Sequence, residues 1–244
     1  MAKNLAVGEM IYVPAALVDV EDLPSAFLRT AVEDVAGRKV RITFRGADHW
    51  IASSRCQRNV GLLIICISDW ATEATLLDPL SKTVLQFCRL LVPDDQVRFY
   101  KVRSIAELRA IWVREHATYS HVILIGHGNG SAVQFANDRW QTAAQLDPVL
   151  SIPGAAAKYF VNLACQGGQA PLGKPFSSLE VCDSYIGAFH SVHGAIASQF
   201  LQSFLIHHLL QGETTKVAFR HARERVSGGT SFRLWRHGAL IPNS

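Results

Sequence analysis

Cysteine is sparse, with five residues in 244, an odd number containing no C-x-x-C pair, which argues against both a disulfide framework and a cysteine zinc cluster. A reducing cytoplasm is the compartment that fits. No apolar run approaches the roughly 18 residues that cross a bilayer; the longest, Leu62–Ile67, has the length of a strand, and no membrane insertion is expected. Residues 10–18 are apolar enough to resemble a short signal core. Glu9 precedes them, however, Asp19, Glu21 and Asp22 follow, and no small-x-small cleavage pattern is present, so they read as folded structure. Internal repeats, low-complexity tracts and Pro- or Ser-rich linkers are all absent. Charge is also scarce, at 18% of residues, with 24 Lys plus Arg against 20 Asp plus Glu and a net charge of +4. The basic residues are scattered, which makes nucleic acid an unexpected partner, and Arg220, Arg223 and Arg225 read as a solvated helix face.

What is present is a 49% hydrophobic chain, long enough for one well-buried core and too short for two full-sized domains. From Gly61 onward, short β-rich runs alternate with helical patterns, which indicates an α/β fold with a mostly parallel sheet and helices on both faces. The runs are 62–67, 97–102, 121–125, 159–163, 185–189 and 231–235, six strands in all. Helices are expected over 79–91, over 105–116 behind a Ser104/Glu107 capping pair, over 193–211 with Gly212 as its stop, and over 216–226. The segment 167–183, with Pro171, Gly173 and Pro175, is the most loop-like part of the core. Residues 1–59 stand apart as an N-terminal segment or small subdomain, with a helix expected over 25–36, stopped by Gly37, and a strand over 40–44; residues 60–244 form the main domain.

Two hydrophobic strands end in polar, glycine-bearing turns. His121 to Ile125 runs into Gly126-His127-Gly128-Asn129-Gly130, and the run at 159–163 leads into Ala164-Cys165-Gln166-Gly167-Gly168. Sites collect at the C-terminal strand ends of open parallel sheets. If the two strands are neighbours, His127 and Cys165 emerge side by side. An imidazole that removes the proton from a thiol, or holds it as a thiolate, supplies the minimum for attack on a carbonyl. The backbone N–H groups of Gly128 and Cys165 are the candidate oxyanion donors, and glycines at 167 and 168 would let a substrate backbone approach closely.

These features resemble the caspase-like cysteine peptidases, the clan of caspases, metacaspases, gingipains, separase and the bacterial CHAT peptidases. The resemblance rests on a strand ending in His127-Gly128 and a second ending in Ala164-Cys165-Gln166-Gly167. The order of the tail is closest to the CHAT group: a long helix, a Gly212-x-Thr214 turn into a basic helix with Ala218, Arg220 and Ala222, and a last strand with Phe232, Trp235 and Gly238. It implies a six-stranded caspase-type sheet and hydrolysis of a peptide bond through a thioester, with His127 and Cys165 as the dyad and no metal or other cofactor in the chemistry. The expected partner is a protein or peptide substrate. The resemblance also implies regulation, by an activating protein or by self-cleavage within 167–183. CHAT and separase-like members tend to carry acidic residues just after the fifth strand, where they can pair with a basic substrate side chain. Here that place holds His190-Ser-Val-His193-Gly194, with Asp183 before the strand as the substitute. Asp183, His190 and Gly168 are therefore the candidate substrate-binding residues.

Taken alone, a strand-end cysteine is a small buried hydrophobe and a His-Gly pair is common in turns; their pairing carries the argument. Gly126 to Gly130 follows a strand as a G-x-S-x-G elbow does, but Gly128 stands where its nucleophile belongs. Neighbouring His207 and His208 point about 100° apart on a helix and do not readily share an ion. Two other readings stay open: a non-catalytic caspase-fold module that binds peptide, and another thiol-dependent hydrolase.

Overall fold

The structure, a computed structural model, describes residues 4–18 and 25–242. Its main body contains, in chain order, β1 (Leu62–Ile67), α1 (Asp78–Leu91), β2 (Val97–Val102), α2 (Ile105–Glu115), β3 (His121–Ile125), α3 (Ala143–Leu150), β4 (Lys158–Asn162), α4 (Ala170–Ser177), β5 (Cys182–Ala188), α5 (Gly194–Leu205), α6 (Thr215–Arg225), β6 (Phe232–Arg236) and β7 (Ala239–Leu240). The strands form one sheet in the order β7-β6-β5-β4-β3-β1-β2. Pairing is parallel from β2 through β5 and antiparallel at β6 and β7. The seventh strand was not expected. It forms because His237 and Gly238, at φ 48° and 75°, make a two-residue reversal that returns the chain along β6.

Strand β1 is apolar throughout because both of its faces are covered. Leu62, Ile64 and Cys66 join the core under α1, α5 and α6, whereas Leu63, Ile65 and Ile67 join the one that holds Trp112 of α2, Leu146 of α3 and Phe176 of α4. Each such side chain contributes about 1.5–3 kcal/mol of burial. Helix α5 lays Ala197, Phe200, Leu201, Phe204 and Leu205 on the sheet, continues as a π-helical turn over Ile206–Leu210 and stops at Gly212, φ 61°. Ser104 caps α2 by accepting from Glu107 N–H at 3.1 Å. The Glu107 carboxylate accepts in turn from Arg103 N–H rather than from Ser104, so the capping box is half formed. Among the described residues, no helix is long and apolar enough to cross a membrane.

Two expectations change. The helix read over 25–36 is instead two strands, Phe27–Ala31 and Asp34–Ala36. Phe27–Ala31 pairs antiparallel with Met10–Pro14, and Gly37, at φ 60°, opens the two-residue turn into Lys39–Phe44. β-Branched Thr30, Val32 and Val35 lose rotamer freedom in a helix, and tertiary pairing prevailed over a weak helical pattern. Val13, Val40 and Ile42 centre a small core in this N-terminal region, while Ala26 and Phe27 pack into the main one.

The second change is α4, which occupies the middle of the segment read as a loop. Pro171 sits in its first turn, where no i−4 hydrogen bond is lost, and Leu172 and Phe176 are fully buried. A helix is a poor place for self-cleavage, because its backbone must open first; Ala170, Pro171, Lys174 and Pro175 on its outer face are exposed, as are Ser178 and Glu180 in the turn that follows.

Strand β5 meets the turn after β4 at two glycines. A Cβ on Gly187 would lie 2.6 Å from Gly168 N, and Gly168 N–H donates to Ala188 O at 2.7 Å. Backbone cannot yield as a side chain can, so Gly187→Ala is expected to cost about 1–3 kcal/mol. Urea unfolding would show this as a lower midpoint at unchanged slope; an unchanged midpoint would remove this contact from the forces that hold the fold.

Candidate active site

Strands β3 and β4 are parallel neighbours in which Leu124 pairs with Asn162. Three residues beyond each partner stand His127 and Cys165, which leave the sheet at the same rim. The turns touch: a Cβ on Gly128 would collide with the Cys165 carbonyl oxygen and lie 3.1 Å from the Ala164 Cβ. Gly126 allows a similarly close approach to the end of β1, where a Cβ would lie 3.0 Å from Ile67 O. Positions 126 and 128 therefore require glycine because backbone passes close by.

The His127 turn is the first strand of a three-stranded antiparallel ribbon, His127–Gly128, Ala132–Phe135 and Arg139–Thr142. Asn129 Oδ1 accepts from the N–H groups of Ser131 and Ala132 and folds the turn at Gly130. Asn129 N–H donates to Ala132 O, which places Gly128 and Val133 in a non-hydrogen-bonded pair and turns Gly128 N–H away from the ribbon. In the Cys165 turn, Ala164 N–H donates to Asn162 Oδ1, Gln166 N–H to His190 O and Gly167 N–H to Ala164 O. Gln166 takes φ 60°, a strained setting for a residue with a side chain, directly after the thiol.

His127 is held from below by two residues that the sequence analysis did not single out. Its Nε2 lies 2.6 Å from Thr72 Oγ1 and 3.7 Å from Asp69 Oδ2, and the Thr72 hydroxyl lies 2.9 Å from the same carboxylate oxygen. Burial works against the charge on Asp69, but hydrogen bonds from Thr72 and from the backbone of Ala71 and Thr72 outweigh it and hold its carboxyl below the usual range. An ionised Asp69 only accepts. Thr72 therefore donates its single hydroxyl proton to Asp69 and accepts from Nε2–H, which leaves the lone pair of neutral His127 on Nδ1. The signal available in sequence was that β1 ends at this same rim, with Asp69 two residues beyond Ile67.

A charged cluster braces the same turn. Glu73 accepts from Lys101 at 2.7 Å, from Arg103 at 3.1 Å and from the Ser68 hydroxyl, and Lys101 also pairs with Asp78 at 2.8 Å. The hydrogen bond from Lys101, then that from Ser68, pulls the Glu73 carboxyl down to about 2. The Arg103 guanidinium lies 4.2 Å from the ring centre of exposed Trp70.

No protein-family model and no curated protein matches the sequence. The structure nonetheless matches that of a secreted C11 cysteine protease from Bacteroides thetaiotaomicron, solved in complex with an irreversible peptide inhibitor, with a TM-score of 0.53 at 9% identity. The match covers 73% of this chain and 66% of the other, slightly under two thirds of the neighbour's length. The chain has the caspase-like fold. At such low identity, the fold is what the likeness carries.

Within the caspase-like sheet, the candidate substrate-binding residues separate. Asp183 lies at the start of β5, about 20 Å of strand away from the rim that bears Cys165. There both carboxylate oxygens accept from Arg236 Nη2 at 2.8 Å, and the residue lines a polar hollow with Tyr159, His208 and Lys216, so it does not take the place of an acidic site residue. Gly168 is not open to a substrate: its N–H is committed to Ala188, its carbonyl accepts from Trp235 Nε1 at 2.9 Å, and Gly187 fills the space above it. His190 does reach the Cys165 turn, through its carbonyl on Gln166 N–H. The thiol itself lies 3.8 Å from Val192 O.

Among the described residues, the group of metal-ligand type is His207, Glu213 and His221, whose facing atoms lie 3.0–3.3 Å apart. Arg225 Nη1 lies 3.0 Å from His207 Nε2. A guanidinium only donates, which places the proton of a neutral His207 on Nδ1, the atom that would have to ligate. The group fits a hydrogen-bonded network between the π-helical turn and α6 better than it fits an ion.

Two outcomes are expected. Nitrogen-15 NMR of neutral His127 should show the Nε2–H tautomer, and Thr72→Val should bring in the Nδ1–H form; an Nδ1–H majority in the unaltered protein would refute the arrangement. Because the folded value for Glu73 lies below its ordinary 4.5, its contribution to stability is present above that value and disappears as pH falls through about 2. Glu73→Gln should therefore flatten the pH dependence of unfolding across that interval, and an unaltered profile would remove the brace.

Proposed function

We propose that the chain is a cysteine endopeptidase in which His127 and Cys165 form the dyad. The observation that carries this reading is the matched register of β3 and β4, with Gly128 seated against the Cys165 carbonyl. His127 Nδ1 removes the thiol proton, and the sulfur adds to the peptide carbonyl carbon. The oxygen turns negative and is received by the N–H groups of Gly128 and Cys165. Collapse of the adduct breaks the C–N bond, the imidazolium gives its proton to the leaving amine, and a thioester remains. Water, deprotonated by His127, then hydrolyses the thioester and restores the thiol. Asp69, acting through Thr72, keeps the imidazole in the required tautomer and steadies it when it is charged.

The thiol's present neighbour, Val192 O, must give way for this chemistry. Within the fold, the order of the tail, Gly212-x-Thr214 followed by a basic helix, favours the CHAT group. The reading keeps a reducing cytoplasm, where the five cysteines remain thiols, and a protein substrate, with an activating protein controlling access.

A peptide library digested by the purified protein tests the proposal. Cys165→Ala should abolish cleavage, and His127→Ala should lower kcat by about 10²–10⁴. Asp69→Asn and Thr72→Val should lower kcat by roughly 10–100-fold with little change in KM, since they act through the base rather than on substrate. Peptide binding that persists without cleavage in the unaltered protein would favour the non-catalytic module. Cleavage that survives Cys165→Ala would end the dyad.

A further inference from the structure

An open cleft of about 430 Å³ lies between the start of α1 and the start of α5, directly beside the rim that holds His127 and Cys165. Both of its walls continue from residues already placed at the site. Thr75 is three residues beyond Thr72, the partner of His127, and His193 follows Val192, whose carbonyl lies 3.8 Å from the Cys165 sulfur. The apolar wall is Leu76, Pro79 and Leu80.

Its chemistry is distinctive in what it withholds. The lining contains no Asp, Glu, Lys or Arg, and apart from His193 its polar groups are hydroxyls and amides. His193 is committed to capping α5, its Nδ1 accepting from Ala195 N–H at 3.2 Å. The first residues of α5, Gly194 and Ala195, line the cleft and turn the positive end of the helix toward it. An ammonium or guanidinium placed there would lose water, meet no carboxylate and face that positive end. An apolar side chain would lose nothing.

Gly194 fixes the size of the opening. A Cβ on it would lie 3.3 Å from Leu76 Cδ1 and 3.9 Å from Leu80 Cδ2, so a larger side chain at this position would project into the space that the glycine leaves free. Its φ lies outside the positive range, and the backbone therefore accepts a substitution.

We propose that this cleft receives the substrate side chain beside the scissile bond and selects an apolar one, of the Leu, Met or Phe kind, against Lys and Arg. The proposal rests on the peptidase reading of His127 and Cys165. It makes Gly194, Leu76 and Leu80 the residues that set specificity.

Two irreversible peptidyl acyloxymethyl ketones, identical except for Leu or Arg at the residue bearing the ketone, test it by the rate at which each forms an adduct on Cys165, read by peptide mapping. The unaltered protein should react at least about tenfold faster with the Leu probe. Gly194→Leu should slow that reaction by about tenfold or more, and Gly194→Asp should raise the Arg-to-Leu ratio. Equal rates, or a faster Arg probe, in the unaltered protein would overturn the proposal while leaving the peptidase intact. So would a Gly194→Leu protein, folded by circular dichroism, that reacts with the Leu probe at the original rate. If Gly194→Leu does not fold, the ratio in the unaltered protein decides. Iodoacetamide modification of Cys165 with no adduct from either ketone would overturn the peptidase reading, and the subsite with it.

Discussion

Parallel pairing of β3 with β4 is the constraint on which the site depends. Because Leu124 faces Asn162, the same three-residue step carries one strand to an imidazole and the other to a thiol. Parallel strands progress together, so the two residues follow the strands at the same rim, and only a residue without a Cβ at 128 lets the turns close on each other. The β1–β3 boundary, where the strand order reverses, adds the third participant. β1 delivers Asp69 and Thr72 to the crevice where open α/β sheets bind ligands.

The rest of the architecture holds that rim still. Glu73, Lys101, Asp78 and Arg103 brace the turn that follows β1, and contact between Gly168 and Gly187 clamps the turn after β4 onto β5. These are different means to one end. The first is a charged network at a partly exposed edge, and the second is backbone against backbone in the interior. The proposed function draws on a third element, the cleft at the start of α5, whose lining contains no Asp, Glu, Lys or Arg.

The sheet and the two turns were legible in the sequence because each depends on local pattern. A fully apolar strand such as β1 declares burial on both faces, and a strand that ends in His-Gly or Ala-Cys-x-Gly declares a polar rim. Features that depend on partners distant in the chain were not legible. Residues 27–31 are strand because Met10–Pro14 lies beside them, against their own weak helical pattern. The prolines of α4 suggested a loop, yet one lies in the first turn, where the helix tolerates it, and buried Leu172 and Phe176 secure the rest. Asp183 looked available until strand direction placed it at the opposite edge, paired with Arg236. Asp69 and Thr72 form no motif with His127, 55 residues away from Thr72; only folding brings them together.

The central claim is that His127 draws the proton from Cys165, and the rate of Cys165 alkylation by iodoacetamide at pH 6 measures it directly, since the thiolate is the reacting form. The account predicts that Cys165 is modified faster than any other cysteine and that His127→Ala slows it by at least about tenfold. A rate that His127→Ala leaves unchanged would contradict it.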